Sequence, residues 1–384
     1  MTASILVISE CSTIVSSRPE TELFIGLRAA GYRVTMMCRP GSPYLPRLRA
    51  HGIEVVEWVP RKRASLAEVR RIRAELVRGG HQLLFLCSGR SLRAGPWAAL
   101  GLPVKVVAYR GFDGNVRWWD PGAYLKLLHP RIDAYWCNAA SVRDTLRANL
   151  PGRGQRAVAL SKGHDVAWYD GTRPADLRAL GIPPGGFNVA FAANVRRMKD
   201  LPTLLRATWH VPPGSPLRLV LMGQGLDDPG LSRLLRESPM ADRLHVLGPR
   251  PDALEIMAAC DGYVLSSSHG ESLTKSLLEA MCVGRPPVVT DVPGNRGIVL
   301  DRVCGRVVPT RDPAALGAAL AGLAEDPERA RAWGAAAREH IRRHWGHDEA
   351  LGRMRAFVER LLAGAPADPA MGGAEQQPAA DRVG

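Results

Sequence analysis

Glu271 and Glu279 are separated by seven residues, and they directly follow the apolar run Gly262–Ser266. A short apolar run of this kind reads as a buried strand, which puts Glu271 on the loop at its carboxyl end. A helix is expected to begin at Ser272 or Leu273. Its first turn would offer unpaired backbone N–H groups and a positive dipole end, both suited to phosphate. Glu279 would then lie two turns along, about 12 Å away at about 1.5 Å per residue. A carboxylate on a helix can accept both hydroxyls of a ribose, and one on a loop can bind the hydroxyls of a sugar. With phosphate between them, the two match the length of a nucleoside diphosphate sugar. Spacing alone reads equally well as a surface helix with a favourable glutamate at its start.

The segment Glu271-x7-Glu279 resembles the E-x7-E motif of retaining GT-B glycosyltransferases of family 4. Directly after it, Ala280-Met281-Cys282-Val283-Gly284-Arg285-Pro286-Pro287-Val288-Val289-Thr290-Asp291 resembles the family's next stretch. Pro293-Gly294-Asn295-Arg296-Gly297-Ile298-Val299 is similar to the turn beyond, with Gly297 where the family carries Glu. Met222-Gly223-Gln224-Gly225 resembles its G-x-G turn. The likeness covers most of residues 187–358 and is specific as a set.

The resemblance implies sugar transfer from a UDP- or GDP-sugar with retention at the anomeric carbon. It also implies an Arg and a Lys, five apart, on the donor diphosphate. Lys199 matches the Lys, but Asn194 stands at the Arg position, and Arg196 or Arg197 is the candidate to bring that charge from the same loop. The expected catalytic set is Glu271, Lys199 and Arg196. Expected around the donor are Glu279, Gly223, Gly225, Ser272, Leu273, Thr274 and Arg250. In the first half, Arg18, Arg110 and Asp113 are assigned to the acceptor side. The resemblance requires no cofactor and no metal, and the sequence contains no Asp-x-Asp.

These residues need strands and turns to hold them. Runs of strand character recur at Ser4–Glu10, Tyr32–Cys38, Ile53–Val59, Gln82–Ser88, Val104–Tyr109, Ala134–Asn138 and Ala157–Ser161. They continue at Asn188–Ala193, Arg218–Met222, His245–Leu247, Gly262–Ser266, Pro287–Thr290 and Arg306–Pro309. Helical stretches such as Thr21–Ala30 and Leu66–Val77 alternate with them. Alternation of this kind predicts parallel α/β sheets in two Rossmann-like domains facing across a cleft. The expected division is residues 1–165 for the acceptor and 166–364 for the donor, with the last helix free to return to the first domain. Turn and breaker residues from Lys162 to Pro184 read as the linker, and residues 365–384 as a disordered tail.

The formal net charge is +14. Such a balance favours anionic partners, although Arg, Ala, Gly and Pro abundance also fits a GC-rich coding bias. Few aromatics interleave with the basic runs, which argues against nucleic acid. The Arg-rich stretch 61–78 reads either as a domain helix or as one lying on an anionic bilayer. A glycan, lipid-linked or lipopolysaccharide-type acceptor would suit the second reading. The seven scattered cysteines read as reduced core thiols, and the N-terminus as a first strand instead of a secretory signal. The expected location is cytoplasmic, with peripheral membrane contact if the basic stretch binds lipid. Two other readings stay open: a sugar-nucleotide epimerase of the same fold, and a non-catalytic relative that binds a nucleotide or polyanion.

Overall fold

A computed structural model describes residues 3–12, 14–61, 65–112, 116–365 and 367. The chain divides into two compact units, Met1–Gly163 with His347–Gly384, and His164–Gly346. The first is built on seven parallel strands: β1 (Ser4–Ile8), β2 (Arg33–Cys38), β3 (Glu54–Glu57), β4 (Leu83–Leu86), β5 (Lys105–Arg110), β6 (Ala134–Cys137) and β7 (Ala157–Ala159). Their order is β3-β2-β1-β4-β5-β6-β7. The second holds β8 (Phe187–Ala192), β9 (Leu217–Met222), β10 (Leu244–Gly248), β11 (Gly262–Leu265), β12 (Pro287–Thr290) and β13 (Arg306–Val308), in the order β10-β9-β8-β11-β12-β13.

Each expected strand forms. Central strands such as β1, β4 and β11 are buried along their whole length, as parallel strands covered by helices on both faces must be. Strand order reverses where β1 pairs with both β2 and β4, and again where β8 pairs with both β9 and β11. Crossovers leave a reversal point on opposite sides of the sheet. A crevice therefore opens at the carboxyl ends of the strands there.

Residues 347–362 belong to the first unit, the return that the sequence left open for the last helix. The helix His347–Leu362 buries Ala350, Met354, Phe357, Val358 and Leu361 in the first unit's core. It packs on the helix Ile14–Ala29, where Gly26 makes room for it. A Cβ at Gly26 would lie 2.5 Å from a methyl of Leu351. The division also falls after Gly163, and most of the expected linker is part of the second unit, since Val166, Tyr169 and Ile182 are buried in its core. Of the tail, residues 366 and 368–384 lie outside the described residues.

The helix Leu66–Arg78 is a domain helix. Ser65 and Glu68 form a reciprocal capping box, and Ile72 and Leu76 are buried. Its apolar stripe is thus used by the core at Ile72 and Leu76, while Leu66 stays exposed. All seven cysteines are free thiols, six of them buried. No helix among the described residues is long and apolar enough to cross a membrane.

Candidate active site

In the second unit the loops that leave β8 and β11 meet at the reversal point. They are stitched together by backbone: Ser268 N donates to Met198 O at 2.8 Å, and Ser266 Oγ to Lys199 O at 2.9 Å. The result brings Lys199 Nζ to 2.5 Å from Glu271 Oε1. Both side chains are largely buried. Glu271 also accepts from the hydroxyls of Ser267 and Thr274, the latter at 2.7 Å. A buried carboxylate with three donors has its charge well compensated.

Thr274 explains a departure from the expected helix start. Its hydroxyl is given to Glu271, so it makes no side-chain cap, and the helix runs Lys275–Cys282. Ser272, Leu273 and Thr274 are a loop leading into it. Leu278 N bonds Thr274 O, which leaves the amides of Lys275, Ser276 and Leu277 without an intrahelical acceptor. Glu279 therefore lies one turn inside the helix, not two. It is buried, and Lys275 Nζ sits 2.7 Å from its Oε1.

Two glycines hold this geometry. A Cβ at Gly294 would meet the carbonyl oxygens of Glu271 and Ser272 at 2.6 and 2.7 Å. Gly223, at φ +146, lies against Ala193, whose carbonyl oxygen would be 2.0 Å from a Cβ there. Asn194 does not face the loop as a cation would. Its Oδ1 accepts from Gln224 N at 3.0 Å, so it braces the Gly223–Gly225 turn. Arg196 and Arg197 are exposed on the same loop. Beside the turn is an open pocket of about 570 Å³, lined by Gly223, Gln224, Gly225, Leu247, Gly248 and Pro249 among others. Arg250, expected at the donor, is not among its lining residues and forks onto Asp252, at 2.8 and 2.6 Å. That contact holds the guanidinium above, and the Asp252 carboxyl below, its usual range.

In the first unit, Arg18 lies beside Tyr44, in a cluster where Arg47 forks onto Glu22 at 2.6 and 2.9 Å. Burial works against the Glu22 charge, but Arg47 outweighs it and holds the carboxyl below its usual range. Arg110 stacks over the Phe112 ring at 3.7 Å. Asp113, the third expected acceptor-side residue, lies outside the described residues.

Sequence reasoning passes over one cluster at this sheet's own reversal point. Lys162 Nζ lies 2.5 Å from Glu20 Oε2 and 3.7 Å from the centre of the Tyr109 ring, with Trp136 on the same side. Ser9 Oγ donates to the other oxygen of Glu20 at 2.5 Å. Burial works against the Lys162 charge, but Glu20 outweighs it and raises the ammonium above its usual range. The available signal is that Ser9, Tyr109 and Lys162 each stand at or just past a strand's carboxyl end. In the sequence, Lys162 reads only as linker punctuation. Among the described residues, no group of three or more His, Cys, Asp or Glu is placed to hold a metal ion.

Comparison with known proteins agrees with this layout. Residues 172–340 match the family model described as glycosyl transferases group 1. That match lies within the second unit and takes in less than half of the chain, so the likeness to glycosyl transferases is carried by this unit, while the chain as a whole has the two parallel, helix-flanked sheets of a GT-B-like fold. A D-inositol 3-phosphate glycosyltransferase of Saccharomonospora viridis is 36% identical over 197 residues, 48% of this chain and 46% of the relative. A phosphatidyl-myo-inositol mannosyltransferase of Mycolicibacterium smegmatis is 27% identical over 335 residues, 83% of each chain. The alignments with the first relatives span about half of their length. Among solved structures, a glycosyltransferase from Rickettsia africae superposes with a TM-score of 0.77 at 12% identity, over 94% of this chain and 99% of that one. Anabaena HepE, solved with UDP and glucose, gives 0.74 at 17% identity, over 93% and 99%. At such identities the likeness is one of fold.

Proposed function

We propose that this chain is a retaining glycosyltransferase that moves a sugar from a nucleoside diphosphate sugar to a glycan or lipid-linked acceptor. The observation that carries the reading is the Lys199–Glu271 pair at 2.5 Å, set beside the amide end of the helix that holds Glu279. The likeness to a D-inositol 3-phosphate glycosyltransferase and a phosphatidyl-myo-inositol mannosyltransferase, and to a fold neighbour holding UDP and glucose, supports it.

In this reading the nucleoside occupies the pocket beside the Gly223–Gly225 turn, with Arg250 one residue beyond the lining residue Pro249. Glu279 accepts the ribose hydroxyls, taking over hydrogen bonds while Lys275 keeps its charge balanced. Lys199, Arg196 or Arg197, and the amides of Lys275–Leu277 face the diphosphate. As the bond from the anomeric carbon to the diphosphate oxygen breaks, negative charge grows on that phosphate. Preorganised donors aimed at it lower the barrier. The acceptor oxygen bonds the same face of the carbon, and its proton passes to the leaving phosphate. Glu271 holds the sugar hydroxyls and keeps Lys199 aimed, and no metal enters the scheme.

Binding and turnover test this together. Melting temperature is measured with UDP, GDP and their common sugar conjugates. A ligand at about 100 times its dissociation constant adds about 2.7 kcal/mol, which is readily seen. One nucleotide should shift the wild type, and its sugar conjugate should yield the free diphosphate only when acceptor is present. Release of free sugar without acceptor would instead mark an epimerase, and no shift with any nucleotide would overturn the donor site.

A further inference from the structure

Lys275 opens the helix that carries Glu279, and two features of its placement work against helix stability. A cation in the first turn faces the positive end of the helix dipole. Its partner Glu279 lies four residues toward the C-terminus, which is the weaker of the two orders for such a pair. A helix optimised only to fold would carry an acidic residue at this position.

The lysine also has donors to spare. One N–H serves Glu279 at 2.7 Å, and an ammonium carries three. The Lys275 side chain is 35% exposed, against 7% for Glu279. The carboxylate is covered, while the ammonium stays open to solvent.

Hydrogen bonds tie this pair to the Lys199 pair. Lys199 reaches Glu271 Oε1 at 2.5 Å, and Glu271 Oε2 accepts at 2.7 Å from Thr274, the residue before Lys275. Tyr263 gives a second link. Its hydroxyl is 2.8 Å from Ser276 Oγ, and its phenol is pushed up by burial and further by both Glu271 and Glu279. Both carboxylates therefore act on one point at the start of the helix. Between the two pairs are the amides of Lys275, Ser276 and Leu277, which lack intrahelical acceptors.

Charge decides what these amides can hold. Two lysines balance two glutamates. Without Lys275, buried Glu279 would repel a phosphate placed at the amides. Asn194 brings no charge to the site, because its side chain braces Gln224 N.

We propose that Lys275 is a phosphate-binding residue of the donor site, keeping one hydrogen on Glu279 and giving another to the phosphate that the ribose carries. One side chain then couples recognition of the ribose to recognition of its phosphate, and the first-turn cation has an anion to face. The inference rests on the donor-site reading above and adds to it a residue and a preference for nucleotide over nucleoside.

The test is calorimetry of the wild type, Lys275→Gln and Lys275→Arg with UDP and GDP, and with uridine and guanosine. The nucleotide that binds the wild type should bind Lys275→Gln roughly 10- to 150-fold more weakly, the scale of one lost hydrogen bond between charged groups. Its nucleoside should bind that variant as tightly as the wild type, because a glutamine amide still donates to Glu279. Nucleotide affinity should depend less steeply on salt in Lys275→Gln, and Lys275→Arg should restore most of what is lost. Where nucleoside binding is too weak to read, the salt dependence decides: a slope equal to that of the wild type counts against the proposal. Unchanged nucleotide affinity in Lys275→Gln, or an equal loss for nucleotide and nucleoside, would overturn it and leave the donor site standing. A wild type that binds neither nucleotide would overturn the donor-site reading and this inference with it.

Discussion

Each unit carries a lysine–glutamate pair at the reversal point of its sheet, and the two pairs are nearly identical in length and burial. Lys162 meets Glu20 at 2.5 Å, and Lys199 meets Glu271 at 2.5 Å. What differs is the company. Lys162 is capped by the faces of Tyr109 and Trp136, and Glu20 takes one further hydroxyl, from Ser9. Glu271 takes two further hydroxyls, and Lys199 shares its loop with exposed Arg196 and Arg197 beside a helix amide end. Aromatic capping uses up a cation inside the fold. A polar loop leaves its partner compensated and the cation able to meet an incoming anion. The first pair is read as scaffold, and the second as machinery.

The contrast is broken most directly by removing each lysine. Lys162→Ala leaves Glu20 buried with a single hydroxyl donor, which should cost about 3–5 kcal/mol. Urea denaturation would show it, and Lys162→Met with Glu20→Gln should recover most of the loss, because the uncompensated charge is gone. Lys199→Ala should cost far less stability, since Ser267 and Thr274 still donate to Glu271. It should instead lower turnover by roughly 10²–10³, as loss of one preorganised donor does. Equal destabilisation by the two variants would erase the distinction between them.

Linkage gives the same contrast an alkaline form. The folded Lys162 pKa is raised. Its contribution to stability is therefore full below the unfolded lysine value of about 10.4 and is lost as pH climbs through the folded value. Wild type should lose stability above pH ~10.4. The Lys162→Met, Glu20→Gln double variant should lose less of it over the same range. Parallel curves would show that the pair contributes nothing.

The two pairs are not equally legible in the sequence. Strands buried on both faces announce themselves as short apolar runs, which reveals the sheets and the loops leaving β8 and β11; Lys199, Glu271 and Glu279 are singled out on those loops and the following helix only by the resemblance to a family motif. Their partnership stays hidden, because Lys199 and Glu271 are 72 residues apart, and Lys162 and Glu20 are 142. Local pattern says nothing about such pairings. Thr274 shows the same limit on a small scale: it looks like a helix cap until its hydroxyl is seen to serve Glu271. Asn194 looks like a missing charge until its side chain is seen to hold Gln224 N. The return of His347–Leu362 to the first unit depends on a gap at Gly26, more than 300 residues earlier in a chain of 384.

Glu279 sharpens the comparison within the second unit. Like Glu271 it is buried and paired with a lysine, but that lysine is on its own helix, one turn away. Such i,i+4 pairs add only about 0.2–0.5 kcal/mol to a helix, so Glu279→Ala should fold normally. If its oxygens hold the ribose, the variant loses hydrogen bonds to a charged group, worth about 1.5–3 kcal/mol. Donor affinity, read by calorimetry, should fall roughly 10- to 150-fold, and affinity for inorganic pyrophosphate should not change. Donor binding as tight as in wild type would separate Glu279 from the site and leave Lys199 and Glu271 to hold the donor without it.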